Sequence, residues 1–171
     1  MKIKYLVLAS VTGAIVGLDQ LTKAYIYTHF KLYESLNIIP SFFNITYARN
    51  VGAAFSFLAS THSSFRQPFF LLVPVLAMIA IVWILRSTLD SQRIQVLSLS
   101  LIFGGALGNY IDRIRFGYVV DFLDFHWKEV YHFAAFNVAD SSICIGVGLL
   151  LLHRVLFEQP SLEAESKGVT S

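Results

Sequence analysis

Two apolar runs are long enough to cross a bilayer unaided. Gln67 to Leu85 lies between Arg66 and Arg86, and Ile94 to Ile111 lies between Arg93 and Asp112. Each is close to the ~20 residues that a helical span needs. Two further runs are too short alone. Tyr5 to Leu18 stops at Asp19, so a span there must continue through Asp19 and Lys23 towards Tyr27. Ser141 to Leu152 follows Asp140 and must begin near Phe133, which draws Asn137 and Asp140 to membrane depth. The pattern predicts four transmembrane helices, over about 5–27, 67–85, 94–111 and 133–153.

Two connections between these spans are long enough to hold structure. In 28–66, Phe43, Ile45 and Tyr47 alternate with Asn44, Thr46 and Ala48, a period of two that predicts a strand. Gly52, Ala53 and Ala54 follow and allow close backbone approach. In 112–132, Phe116, Tyr118, Phe122, Phe125, Trp127 and Tyr131 give the aromatic density of a headgroup interface. The fold class expected is therefore an α-helical membrane protein of four spans. A small extracytoplasmic β-element and an interfacial aromatic-rich loop complete it. Residues 1–157 read as one integral membrane domain. Residues 158–171, with Pro160 and three glutamates, read as a disordered cytoplasmic tail.

Composition supports the membrane class. The chain is 56% hydrophobic and 14% charged, with mean hydropathy +0.62, against about 25% charged in a soluble domain. A net charge of +2 without a basic cluster gives no nucleic-acid signal. Cys144, the single cysteine, lies in an apolar run and reads as a packing residue. Cations tie at six on each side of the spans, with Lys23 inside the first. The short, basic N-terminus and the 86–93 connection favour cytoplasmic termini. A cleaved secretory leader competes for the first 20 residues, but no Ala-x-Ala site precedes Asp19.

Polar motifs punctuate the apolar runs: Asp19-Gln20-Leu21-Thr22-Lys23, Asn50-Val51-Gly52-Ala53-Ala54-Phe55, Gly104-Gly105-Ala106-Leu107-Gly108-Asn109, Asp112-Arg113, Val119-Val120-Asp121-Phe122 and Phe136-Asn137-Val138-Ala139-Asp140. Ionisable groups at membrane depth are costly and mark function by default. Asp19 and Lys23 are four apart on a helix and can pair, a structural role. Asp112 beside Arg113 reads as a helix-end ion pair. Asp121 and Asp140 have apolar neighbours and no adjacent cation. If they converge, repulsion and low dielectric leave one protonated and one ionised, which suits general acid–base hydrolysis. The competing reading has Asp121 capping a helix and Asp140 bonding a buried amide.

Other constellations are weaker. There is no His-Glu-x-x-His spacing, and His126 and His132 sit among aromatics as interfacial residues. No Gly-x-Ser-x-Gly elbow appears, and no serine stands out to partner Lys23. Asn50, Asn109 and Asn137 could hold a peptide backbone, because an amide both donates and accepts. A small-residue helix seam is the alternative for Asn109 beside Gly108.

In this order and spacing, from Asp19 to Asp140, the motifs resemble those of the bacterial lipoprotein signal peptidases, the signal peptidase II family. The resemblance implies a membrane aspartic endopeptidase with Asp121 and Asp140 as the catalytic pair. It implies Asn50, Asn109, Arg113 and Asn137 as backbone-binding groups, Gly52 and Gly108 as points of close approach, and Asp19, Lys23 and Asp112 as structural support. Substrates would be diacylglyceryl-modified prolipoproteins, cut just before the lipidated cysteine to release the signal peptide. No metal or other cofactor is implied, and no nucleic acid. The setting would be the bacterial inner membrane, among its lipids, as a monomer with the site near the outer face. The 42–57 loop would cradle substrate, and 116–131 would act as a lid. A small proton-coupled transporter that relays protons through buried carboxylates is the second class of function considered.

Overall fold

The computed structural model describes residues 2–52, 63–128 and 131–157. The predicted tail, 158–171, lies outside the described residues, as do Ala53, Ala54 and Phe55 of the second motif. The order of elements is α1 (Ile3–His29), β1 (Ser35–Ile39), β2 (Phe43–Asn50), α2 (Ser63–Ser87), α3 (Arg93–Phe116), β3 (Val119–Trp127), β4 (Tyr131–His132) and α4 (Val138–Phe157). All four helices are long and apolar enough to cross a membrane.

The bundle is turned inside out relative to a soluble one. On α1 the buried residues are Lys4, Asp19, Lys23 and Ile26, whereas Leu6, Leu18, Leu21 and Tyr25 are exposed. Apolar side chains face the hydrocarbon and the ionisable ones face inward, as the solvent requires. Small residues let the helices approach. A Cβ added to Gly105 would collide with the Ala139 carbonyl oxygen and the Ser142 hydroxyl on α4, and one on Gly146 would come within 2.7 Å of Ser98 O on α3. Such close approach is what small residues provide between helices in lipid. Ile81 and Leu85 of α2 bury against Val96 and Leu99 of α3. At the end of the bundle that holds the N-terminus, buried Lys4 donates to Arg86 O at 2.9 Å and Thr88 O at 2.6 Å. A cation at that helix C-terminus also suits the dipole.

Beyond the other end of the bundle lies an antiparallel sheet in the order β1-β2-β3-β4. Phe43, Asn44 and Ile45 of β2 pair with Phe125, Asp124 and Leu123 of β3, and Ala48, Arg49 and Asn50 pair with Asp121, Val120 and Val119. Buried Ile26 of α1, with Tyr47, Val120 and Phe122, anchors the sheet to the helices.

The structure differs from expectation at two boundaries. Most of the aromatic segment is strand rather than loop. Removing 123–131 would take away half of β3 and its pairing with β2, so this stretch is not a free lid. The last helix begins at Val138 instead of near Phe133. Phe133 and Phe136 continue the sheet instead: Phe133 N–H donates to Phe125 O at 2.9 Å and Phe136 N–H to Leu123 O at 3.1 Å. The helix recovers its length at the C-terminal end, running to Phe157.

Candidate active site

The site is built where β3 meets the start of α4. Asn137 immediately precedes the helix. Its Oδ1 accepts the Asp140 backbone N–H at 2.9 Å, while Asp140 Oδ2 accepts the Asn137 N–H at 3.3 Å. This reciprocal pair is a capping box, with Asp in the place usually taken by Glu or Gln. Asp19 Oδ1, from α1, accepts the Ala139 N–H at 2.9 Å. The otherwise unpaired N–H groups of Ala139 and Asp140 in the first turn are thus met by side-chain oxygens. Asp140 consequently sits in the first turn, where the helix dipole favours an anion.

Asp121 arrives from β3 and is 2% exposed. Asn137 Nδ2 donates to its Oδ1 at 2.7 Å. That polarity is fixed, because Asn137 Oδ1 is committed to a backbone N–H that can only donate. One residue therefore ties the two carboxylates together. Asn109 on α3 repeats the device: its Oδ1 accepts from the Lys23 ammonium at 2.9 Å, so its Nδ2 must donate, and does so to Asp140 Oδ1 at 2.7 Å.

The Asp121 carboxyl is pushed up from 3.8 to about 7, first by burial and then by the charge of Asp140. Hydrogen bonds from Asn50 and Asn137 and the charge of Lys23 oppose the rise. Near neutrality the pair therefore holds a proton that an exposed pair would have lost.

A stability consequence follows. Below about pH 4 the Asp121 carboxyl is protonated in folded and unfolded chains alike. Between there and pH 7 the unfolded chain ionises first, so Asp121 increasingly destabilises the fold as pH rises. Asp121→Asn removes that charge and should raise the unfolding midpoint at pH 8 but not at pH 4. The upper bound of the gain is about 4 kcal/mol. Thermal unfolding in detergent at both pH values measures it. An equal loss of stability at both would contradict the assignment.

Beneath the pair lies a buried charge cluster. Lys23 Nζ is 2.8 Å from Asp19 Oδ2 and 3.0 Å from Asp112 Oδ2, with all three side chains at most 2% exposed. Asp112 Oδ2 also accepts the Val120 N–H at 3.0 Å, which fixes the strand that carries Asp121. Asp112 therefore pairs with Lys23 across helices and not with its neighbour Arg113. Arg113 instead donates to Gly52 O at 2.9 Å and lies 5.0 Å from the Phe70 ring centroid. Asn50 Oδ1 accepts the Gly52 N–H at 3.0 Å. Asn50, Gly52 and Arg113 thus form one linked group beside the carboxylates.

Of the other residues that the sequence marks, three are packed inside the fold and one lies on its surface. Asn137 is fully buried, with Nδ2 donating also to Val120 O and Asn109 Oδ1, so its amide braces both carboxylates from within the fold. Gly108 faces inward, where an added Cβ would lie 2.8 Å from Asp19 Oδ2; its missing side chain makes room for the ion cluster. His126 is 3% exposed on β3, so its ring is covered by protein. Cys144 is exposed on α4 and does not fill the core. Sequence reasoning also passed over Gln20 as a site residue. Its Nε2 donates to Asp19 Oδ2, Gly108 O and Asp112 Oδ1 at 3.2, 3.2 and 2.9 Å. Its place between Asp19 and Lys23 was the available signal.

The sequence matches the family described as Signal peptidase (SPase) II over residues 11–156. A lipoprotein signal peptidase of Geobacter metallireducens is 48% identical over 159 residues, spanning 93% of this chain and 96% of the relative. One from Haemophilus influenzae is 47% identical over 146 residues, spanning 85% and 84%. A solved structure, described as a bacterial membrane enzyme determined in meso at 1.9 Å resolution, superposes with TM-score 0.77 at 36% identity, covering 89% of this chain and 94% of that one. The four spans, the ordered polar motifs and these matches together place the chain in the signal peptidase II family, the lipoprotein signal peptidases of bacterial membranes.

Proposed function

We propose that Asp121 and Asp140 are the catalytic pair of a membrane aspartic endopeptidase. It removes the signal peptide from diacylglyceryl-modified prolipoproteins by cutting just before the lipidated cysteine. The observation that carries this reading is the single Asn137 side chain and backbone bonded to both carboxylates. Asp140, in the first turn of α4 and bonded by Asn109, serves as the ionised member and takes a proton from water. Asp121, raised to about 7 by burial, carries the shared proton and gives it to the scissile carbonyl. Water adds to the carbonyl carbon, the C–N bond breaks, and a proton passes to the leaving amine. Such a pair titrates as a unit, so pH-dependent turnover reports the pair and not either residue alone.

Asn50 and Arg113 are the groups that hold the substrate backbone, with Gly52 between them allowing close approach; Asn109 has one face on Asp140 and serves both roles. The sheet lies on the outer face of the inner membrane and the termini in the cytoplasm, so lipid enters sideways while water reaches the carboxylates. The chain acts as a monomer. A transporter would want titratable groups spread through the membrane depth, whereas Asp19, Lys23, Asp112, Asp121 and Asp140 form one connected cluster.

The test is substrate dependence. Purified protein should cleave a precursor bearing the diacylglyceryl thioether and leave the same precursor uncut when its cysteine is unmodified. Equal cleavage of both would contradict a site shaped for the lipidated cysteine. Cleavage of neither would contradict the peptidase reading.

A further inference from the structure

At the sheet end of the bundle, two arginines lie against a pair of stacked aromatic rings. Arg49 Cζ lies 4.7 Å from the Tyr118 ring centroid, and its Nε donates to the Tyr47 hydroxyl at 3.0 Å. Tyr118 stacks on Phe116 at 5.6 Å, and Arg115 Cζ lies 4.9 Å from the Phe116 ring centroid. Tyr27 of α1 meets Phe116 edge-on at 5.6 Å. Both arginines are exposed, and among the described residues neither has a carboxylate partner.

Position adds to the chemistry. α3 ends at Phe116, where Gly117 turns the chain with φ 77°, and α1 ends at His29. The stack therefore lies where the spans leave hydrocarbon, the depth of phospholipid headgroups, and aromatic rings favour that layer. Beside Arg115 runs a groove of about 360 Å³, lined by Phe70, Leu71, Ile114 and Phe116 with Arg113 and Arg115. An acyl chain can lie along that apolar wall while its phosphate meets a guanidinium. A guanidinium suits a phosphate diester because its planar fork donates two parallel hydrogen bonds.

We propose that the Arg49–Tyr118–Phe116–Arg115 stack binds anionic phospholipid headgroups of the leaflet on the sheet side. The aromatic rings hold the guanidiniums at that depth, and the anionic lipids fix the sheet against the membrane surface. The inference rests on the membrane spans and on a groove that shares Arg113 with the group proposed to hold substrate, and its test reads lipid retention alone.

Native mass spectrometry of the purified protein, titrated with phosphatidylglycerol or phosphatidylcholine in the same detergent, tests it. Phosphatidylglycerol should be retained at a concentration about tenfold lower or better, given two cations at the surface. In the Arg49→Gln/Arg115→Gln double variant the two lipids should become equivalent within about twofold, by the same reckoning. Arg93→Gln, at the opposite end of α3, should keep the wild-type preference. High salt should also erase the wild-type preference, because exposed charges are screened. Equal retention in the wild type, an unchanged preference in a folded double variant, or a preference that persists at high salt would each overturn the proposal. Cleavage activity does not enter any of these readouts.

Discussion

Asp140→Asn and Asp121→Asn should each reduce cleavage of a diacylglyceryl-modified precursor by about 10³-fold or more. General acid–base catalysis by one positioned group contributes about 10²–10⁴-fold, and either exchange disables both halves of a pair that shares one proton. Asn keeps the acceptor oxygen that Asp121 offers to Asn137 Nδ2 and the one that Asp140 offers to Asn109 Nδ2, and at Asp140 it gives up the long 3.3 Å bond from the Asn137 N–H. The fold should therefore survive. Single-turnover cleavage beside a thermal-unfolding control separates chemistry from folding. Near-normal turnover in either folded variant would remove that residue from the mechanism.

Lys23→Met should have the largest effect on stability. Lys23 stands between Asp19 and Asp112 with almost no exposure, and it also donates to Asn109. Removing one partner of a buried ion pair leaves an uncompensated charge and costs about 3–5 kcal/mol; here two carboxylates lose their cation. The damage should spread to function, because Asp19 holds the Ala139 N–H at the start of α4 and Asp112 holds the Val120 N–H beside Asp121. Adding Asp19→Asn to Lys23→Met restores the cluster's net charge and should recover part of the stability. Unfolding midpoints in detergent measure both steps. A single variant as stable as wild type would show that the cluster does not support the fold.

The spans were legible because the bilayer imposes a length, and run length alone identified α2 and α3. The pairing of Asp19 with Lys23 followed from their spacing on one helix. Strand β2 declared itself by the alternation of Phe43, Ile45 and Tyr47 with Asn44, Thr46 and Ala48, although most of its residues are half-buried whichever face they occupy. Strand β3 did not. Val119, Val120, Asp121 and Phe122 are all buried, so both faces are covered and no period of two appears. Its aromatics resembled an interfacial loop for the same reason.

Contacts between distant elements were the least legible part of the site. Nothing near Asp112 announces Lys23, and the adjacent Arg113 suggested a different partner. The motifs marked Asn137 as polar and important, but its role depends on burial. Only the fold reveals that its amide and backbone brace Asp121 and Asp140 from inside.

The pH dependence of kcat/KM for wild-type cleavage tests the shared-proton pair most directly. With Asp121 raised to about 7, activity should be high in mildly acidic solution and fall as pH rises past about 7, when the pair loses its last proton. A rate that instead keeps climbing to pH 9 would signal a nucleophile activated by deprotonation, and would contradict the aspartic pair.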